Sequence, residues 1–226
     1  MLGKLYIVST PIGNLLDVSK RAINILSEVD FVFCEDTRVT KKLFNKYDIV
    51  NKLKVFNDIN EHFKSNEVIN ILNDGKNVAI VSDAGTPCIS DPGYRVVNAA
   101  RKSNIDVITI PGPCSAIAAL SISGLPTDNF FYQGFLPKKK GRQTKFNELS
   151  KFDCSIIIFE SPKRVHKTLI DIHKYMGDRV VSLCRELTKM YEEVTVDKVS
   201  HLLNNHKSLK LKGEYVIVVA KEDYKN

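Results

Sequence analysis

Apolar residues in the first half of the chain fall into two alternating patterns. Short continuous runs, Leu5–Ser9, Asp30–Cys34, Leu53–Phe56, Val78–Val81 and Asp106–Ile110, read as buried strands. Between them, apolar residues recur every three or four positions, which is helical spacing. Ser19–Glu28 carries Ala22, Ile25 and Leu26, with Val29 just beyond. Thr37–Lys46 carries Leu43 and Phe44, Glu61–Asn73 carries Val68, Ile71 and Leu72, and Tyr94–Lys102 completes the series. Strands alternating with helices predict a parallel sheet with helices on both faces.

Pro111-Gly112-Pro113 breaks this pattern. Beyond it, Ser115–Ser121 reads as a helix, Phe130–Gln133 as a short strand and Leu136–Arg142 as a basic loop. Ser155–Phe159 is an apolar strand, and Val165, Leu169, Ile172 and Met176 mark one face of a helix. Val180–Cys184, Val194–Val196 and Tyr215–Val219 read as further strands. Here strands follow one another without a clear helix between them, which predicts a mixed sheet. The chain therefore reads as two α/β domains, 1–112 and 113–226.

The segment Ser82-Asp83-Ala84-Gly85-Thr86-Pro87-Cys88-Ile89-Ser90-Asp91-Pro92-Gly93 is too rich in Gly, Pro, Ser and Asp to be helix or strand interior. It leaves the carboxyl end of an apolar strand, where ligands bind in open α/β sheets. It is also longer than the usual connection of about 2–6 residues. A stiff connector is the competing reading, but the length favours a binding loop. Thr10-Pro11-Ile12-Gly13-Asn14 leaves the first strand at the same edge of the sheet.

Composition narrows the function. Hydrophobic residues make up 43% and charged residues 26%, ordinary for a globular protein, and no apolar run is long enough to span a bilayer. The N-terminus lacks a signal-peptide layout. The five cysteines are scattered and form no C-x-x-C pair, which predicts reduced thiols in a cytoplasmic protein without a zinc site. The five histidines make no metal signature, and His166 and His173 read as surface or half-buried residues. Neither G-x-G-x-x-G, a P-loop nor a G-x-S-x-G elbow occurs, which argues against dinucleotide, nucleoside-triphosphate and hydrolase sites. A formal charge of +7 suggests a polyanionic partner. The positive charge clusters at Lys138-Lys139-Lys140-Gly141-Arg142 with Lys145, at Lys163, Arg164 and Lys167, and at Lys207, Lys210 and Lys212.

Several ordered motifs resemble one known family. They are Leu5–Leu15, Cys34-Glu35-Asp36-Thr37-Arg38, the Asp83–Gly93 loop and Pro111-Gly112-Pro113-Cys114-Ser115-Ala116. Phe159-Glu160-Ser161-Pro162-Lys163-Arg164, Arg185-Glu186-Leu187-Thr188-Lys189 and Lys212-Gly213-Glu214 also fit. The set resembles the ribosomal RNA small subunit methyltransferase I family, of the tetrapyrrole-methylase fold group. The resemblance implies two α/β domains with the donor site in the cleft between them, and S-adenosylmethionine as donor. It further implies 2′-O-methylation of a cytidine ribose at the decoding centre of small-subunit rRNA, and a homodimer. Two features depart from the family pattern: Asn57-Asp58-Ile59-Asn60-Glu61 stands where members carry a His-rich segment, and the chain ends at Asn226 where many continue into a helical extension.

By this resemblance Pro11, Asp83, Ala84, Gly85, Thr86, Pro87, Ser115, Ala116 and Phe159 are the candidate donor-binding residues. Methylating a ribose hydroxyl calls for a positioned base. Glu35 and Asp36, at the end of the second strand, are the first candidates, with Asp58 and Glu61 as a second group. Arg185 is a candidate for orienting a carboxylate or clamping a phosphate. Arg38, Lys138, Lys139, Lys140, Arg142, Lys163 and Arg164 are the candidate RNA contacts, to free rRNA or to an assembled 30S subunit. For each charged residue an intramolecular ion pair is the competing reading. A same-fold methylase of small tetrapyrroles and a non-catalytic RNA-binding assembly factor are the alternative functions.

Overall fold

The computed structural model describes residues 1–57, 59–205 and 209–224. The chain forms two compact units, Met1–Cys114 and Ser115–Asn226. Asp58 and Lys207 lie outside the described residues.

The first unit is built from strands β1 (Leu5–Val8), β2 (Phe31–Cys34), β3 (Leu53–Val55), β4 (Val78–Ile80) and β5 (Val107–Ile110). Its helices are α1 (Lys20–Glu28), α2 (Thr37–Lys46), α3 (Glu61–Asn73) and α4 (Tyr94–Lys102). The strands form one parallel sheet in the order β3-β2-β4-β1-β5. Its period-two alternation sends Val8, Val32, Cys34, Ala79 and Ile110 to one face, where they pack with Ala22 and Leu26 of α1 and Leu43 and Phe44 of α2. Leu5, Phe33, Val78 and Ile80 point to the other face, against Val68 and Leu72 of α3 and Val96 and Ala100 of α4.

The helices begin where their sequences allow. Ser19 caps α1 by accepting from the Ala22 N–H at 3.1 Å. Asp36 caps α2 by accepting from the Arg38 N–H at 2.8 Å. Glu61, from α3, accepts from the N–H groups of Gly93 and Arg95 at 3.0 and 3.1 Å and so caps α4 from outside that helix.

The second unit comprises α5 (Ser115–Ile122), β6 (Phe130–Phe135), α6 (Arg142–Leu149), β7 (Ser155–Glu160), α7 (Val165–Met176), β8 (Val180–Arg185), β9 (Glu193–Lys198), α8 (Val199–Asn204) and β10 (Tyr215–Val219). Its sheet runs β6-β7-β10-β8-β9 and is mixed, with only the β6–β7 pair parallel. The apolar face read along 165–176 is the buried face of α7. It joins Phe146, Ile156, Ile158, Leu183 and Ile217 in a single core. On the opposite face of the sheet, the Cys184 thiol lies 3.8 Å from the Ala119 carbonyl of α5.

Two parts of the sequence reading need correction. Helix α8 was not anticipated, because only Val199 and Leu202 are buried in its short span. The basic loop also ends one residue earlier than expected: Arg142 opens α6 after Gly141, whose φ of 80° turns the chain. All five cysteines are free thiols. Among the described residues no helix is long and apolar enough to cross a membrane, and no group of His, Cys, Asp and Glu could hold a metal ion.

Candidate active site

In the first unit the connections β1–α1–β2 and β2–α2–β3 run toward one edge of the sheet. The connections β3–α3–β4 and β4–α4–β5 run toward the other. The neighbours β1 and β4 therefore send their following loops to opposite faces. That is the topological switch point, where open α/β sheets bind ligands.

The two loops are tied together there. Thr10 and Gly85 form an isolated antiparallel bridge, with N···O distances of 2.8 and 3.1 Å. The Thr10 hydroxyl donates to the Ser82 carbonyl at 3.0 Å, and the Ser82 hydroxyl donates to the Gly85 carbonyl at 3.2 Å. Thr86 Oγ1 donates to the Pro113 carbonyl at 3.0 Å and lies 2.9 Å from Ser9 Oγ, which supplies the proton for that second bond. The Ser9 and Thr86 hydroxyls thus form a short chain that ends on the Pro113 carbonyl, beside the Thr10 and Ser82 bonds that tie the two loops. Gly112 is part of this closeness, since a Cβ there would stand 3.0 Å from Ser9 Cβ.

The long loop is held in an unusual conformation. Gly85 has φ 90°, and Cys88 and Ser90 sit at φ 72° and 64°, where side chains other than glycine are rarely found. Such strain persists only where the surroundings fix it, and it clusters at functional loops. Gly93 closes the loop with φ 132°, and a Cβ there would meet Cys88 Sγ at 2.7 Å. Burial, with Glu61 and Asp91 nearby, pushes the Cys88 thiol up to about 11, so it is no nucleophile at neutral pH.

Three carboxylates stand at the ends of β2 and β4. Glu35 Oε1 accepts from the Asp83 N–H at 3.1 Å, and Asp83 Oδ1 accepts from the Asp36 N–H at 3.0 Å. Asp36 is grasped by the Arg38 guanidinium, with Nε 3.0 Å from both carboxylate oxygens. This bonding holds its carboxyl down at about 2. Asp36 is therefore a helix cap and an anchor for Arg38, and a poor proton acceptor. Burial raises the Asp83 carboxyl above its ordinary value, against the Asp36 N–H hydrogen bond that lowers it. Glu61, from the second group of base candidates, is committed to the α4 N-terminus.

Pro11 is buried beside the Thr10 bridge, Ala84 is exposed, and Pro87 is buried. The residues here would suit a sulfonium donor: small side chains, Gly85 without a Cβ, the paired Ser9 and Thr86 hydroxyls and the Asp83 carboxylate that can face a positive charge.

In the second unit Ser115 and Ala116 form the first turn of α5, half-buried and buried respectively. Phe159 is half-buried on β7, edge-on to Tyr132 and Phe135 at 5.3 and 5.6 Å between ring centres. Arg185 donates to the Lys212 carbonyl at 2.9 Å and the Tyr191 carbonyl at 3.3 Å, and faces Glu193 at 3.6 Å. It is a brace between two of the recognised motifs. Lys138, Lys139, Lys140 and Lys163 are exposed. Arg164 is partly spent on Glu160, 2.6 Å away.

Arg142 does not belong with the exposed lysines. Its side chain is 7% exposed and lies 2.7 Å from Asp171 Oδ2. Its expected role as an RNA contact is corrected, because the guanidinium lies inside the second unit. Sequence reasoning also missed Ser9, Ser82 and Thr168: the first two carry no signal beyond their place in the loop segments, and Thr168 stands outside every quoted motif.

A model of the tetrapyrrole (corrin/porphyrin) methylases matches residues 4–203. The chain is 44% identical over 219 residues to the ribosomal RNA small subunit methyltransferase I of Thermotoga maritima, covering 97% of this chain and 99% of that one. It is 44% identical over 221 residues to the enzyme of the same name from Escherichia coli O157:H7, covering 96% of this chain and 77% of that one. Among solved structures, a diphthine synthase superposes with a TM-score of 0.76 at 14% identity, covering 96% of this chain and 90% of that one. A cobalt precorrin-4 methyltransferase of cobalamin biosynthesis superposes with a TM-score of 0.69 at 18% identity, over 96% and 94%. These two likenesses speak for the fold alone. With motifs, switch-point site and near full-length identity in agreement, the chain belongs to the ribosomal RNA small subunit methyltransferase I family of the tetrapyrrole methylases.

Proposed function

We propose that this protein transfers the methyl group of S-adenosylmethionine to the 2′-hydroxyl of a cytidine ribose in small-subunit ribosomal RNA. The observation that carries this reading is 44% identity over nearly the whole of both chains to a relative of that name. The tied loops at the switch point support the donor half, because such a site suits a small ligand bound by backbone and hydroxyl groups. The formal charge of +7 and the exposed Lys138–Lys140 run support the RNA half.

The donor supplies an activated methyl group on a sulfonium. The chain must hold that group in line with the ribose oxygen and take up the hydroxyl proton. Thr10, Gly85 and Thr86 fix the backbone that carries the donor. Asp83 and Glu35 brace the acidic wall. Asp83, raised by burial, is the better proton acceptor of the Asp36–Asp83 pair. Lys138–Lys140 and Lys163 neutralise RNA phosphates. The assembled 30S subunit is the acceptor, and the active species is a homodimer.

The test incubates the protein with radiolabelled S-adenosylmethionine and either 30S subunits lacking the modification, deproteinised rRNA or a tetrapyrrole precursor. Label entering a single cytidine ribose of 30S rRNA is the expected result. Label entering only the tetrapyrrole overturns the reading, and label in free rRNA alone overturns the 30S assignment. Light scattering on the purified chain tests the homodimer.

A further inference from the structure

A buried ion network lies directly beneath the exposed lysine run, all of it within the second unit. At its centre is Glu160, the last residue of β7, whose side chain is fully buried. Its Oε1 pairs with Arg164 Nε at 2.6 Å, and its Oε2 accepts from Thr168 Oγ1 at 2.7 Å. The Thr168 oxygen in turn accepts from Arg142 Nη2 at 2.8 Å. Arg142 Nε lies 2.7 Å from Asp171 Oδ2, and its guanidinium stands over the Phe146 ring at 5.2 Å.

Both arginines also reach forward to the chain just before the lysines. Arg142 Nη1 donates to the Pro137 carbonyl at 3.1 Å, and Arg164 Nη1 to the Leu136 carbonyl at 3.4 Å. On the far side of the run, the Arg142 N–H donates to the Lys139 carbonyl at 3.2 Å and closes the turn. Three consecutive ammonium groups repel one another and favour an open, wandering loop. Burying guanidinium and carboxylate groups gains little stability over apolar packing, so such a network is better explained by the conformation it specifies. Here that conformation is the path of residues 136–141.

We propose that Arg142 and Arg164, locked by Glu160 and Thr168, are positioning residues that hold Lys138, Lys139 and Lys140 in the arrangement that meets the RNA backbone. This rests on the reading of those lysines as RNA contacts. Arg142 acts through the lysines and touches no phosphate itself.

A double-mutant cycle tests it, read as the KM for 30S subunits, the salt dependence of 30S binding and the Kd for S-adenosylmethionine. Arg142→Lys keeps the charge but loses the fork that bonds Pro137, Thr168 and Asp171 together. It is expected to raise the 30S KM about tenfold, with kcat at saturating 30S and donor affinity within about twofold of wild type. Added to the triple variant Lys138→Ala/Lys139→Ala/Lys140→Ala, it is expected to cause no further loss, because the lysines it positions are already gone. Full additivity of the two losses overturns the positioning role, as does a wild-type KM for Arg142→Lys. A wild-type KM and salt slope for the triple variant would instead show that the lysine reading itself is wrong. If Arg142→Lys fails to fold on thermal melting, Thr168→Val carries the same cycle, since it removes one hydroxyl from the network and leaves every charge in place.

Discussion

Gly213 and Glu186 occupy the same space: a Cβ on Gly213 would stand 2.6 Å from Glu186 Cγ. Glu186 has φ 52°, its N–H donates to the Glu214 carbonyl at 3.0 Å, and its Oε1 accepts from the Glu214 N–H at 2.9 Å. Lys189 Nζ lies 2.9 Å from Glu186 and 2.8 Å from Glu214. The Arg185–Lys189 and Lys212–Glu214 motifs are thus one interlocked turn. Gly213→Ala adds left-handed backbone strain and overpacking, and is expected to cost about 2–4 kcal/mol. Urea denaturation measures it, and a loss below 1 kcal/mol on the same scale would mean the turn relaxes freely.

At Gly85 the cost is conformational before it is steric. A Cβ there would meet Ile12 Cγ2 at an ordinary 3.4 Å, but φ is 90°. Gly85→Leu is expected to lower stability by about 1–2 kcal/mol and to abolish donor binding in calorimetry, because the bridge to Thr10 must shift. Wild-type donor affinity in a folded variant would make the loop a connector only.

Glu61 separates a capping role from a catalytic one. Glu61→Ala removes the acceptor of two N–H groups at the α4 start and is expected to cost about 1–2 kcal/mol. Glu61→Gln keeps an oxygen acceptor and is expected to recover most of that loss, with methylation of 30S subunits unchanged. A Glu61→Gln protein that is stable and inactive would return Glu61 to the list of bases.

Asp36 gives a pH signature. Its folded carboxyl is held at about 2, below the ordinary 3.8, by the Arg38 hydrogen bonds. The stability this lends is complete above the ordinary value and is lost as pH falls through about 2. Asp83 is raised by burial, so its contribution has the opposite sign: present in acid, it fades as pH rises through its folded value. The gap in melting temperature between wild type and Asp36→Asn is therefore expected to close on going from pH 5 toward pH 2. A gap that stays constant with pH would show that the Asp36–Arg38 pair contributes nothing.

Arg142→Ala should act on the fold far more than an exposed lysine does. It strands Asp171 and Thr168 without their guanidinium and leaves the fully buried Glu160 with Arg164 as its one cation, at an expected cost of about 3–5 kcal/mol. Lys138→Ala/Lys139→Ala/Lys140→Ala should leave the melting temperature within a few degrees. It should also flatten the log–log salt slope of 30S binding by up to about 2, at roughly 0.7 per lost phosphate contact. An unchanged slope would assign the lysines to solubility.

The alternation of strands and helices and the helix bounds Thr37–Lys46, Glu61–Asn73 and Tyr94–Lys102 are legible in the chain before it folds. The two loops bridged at Thr10 and Gly85 were legible as well. These are local properties: apolar periodicity, capping residues and Gly/Pro punctuation are written at the positions where they act. Tertiary structure alone decided the strand orders β3-β2-β4-β1-β5 and β6-β7-β10-β8-β9, and with the first of them the switch point that joins Thr10 to Gly85. It also decided which charges are taken up by ion pairs, helix caps and braces. Asp36, Glu61, Arg142 and Arg185 look in the sequence like any reactive carboxylate or phosphate clamp. Their partners lie at Arg38, at the Gly93 and Arg95 amides, at Asp171 and Thr168, and at the Lys212 carbonyl. Most of these pairings span many residues of chain, and a charge declares its partner only when the fold brings the two within bonding distance.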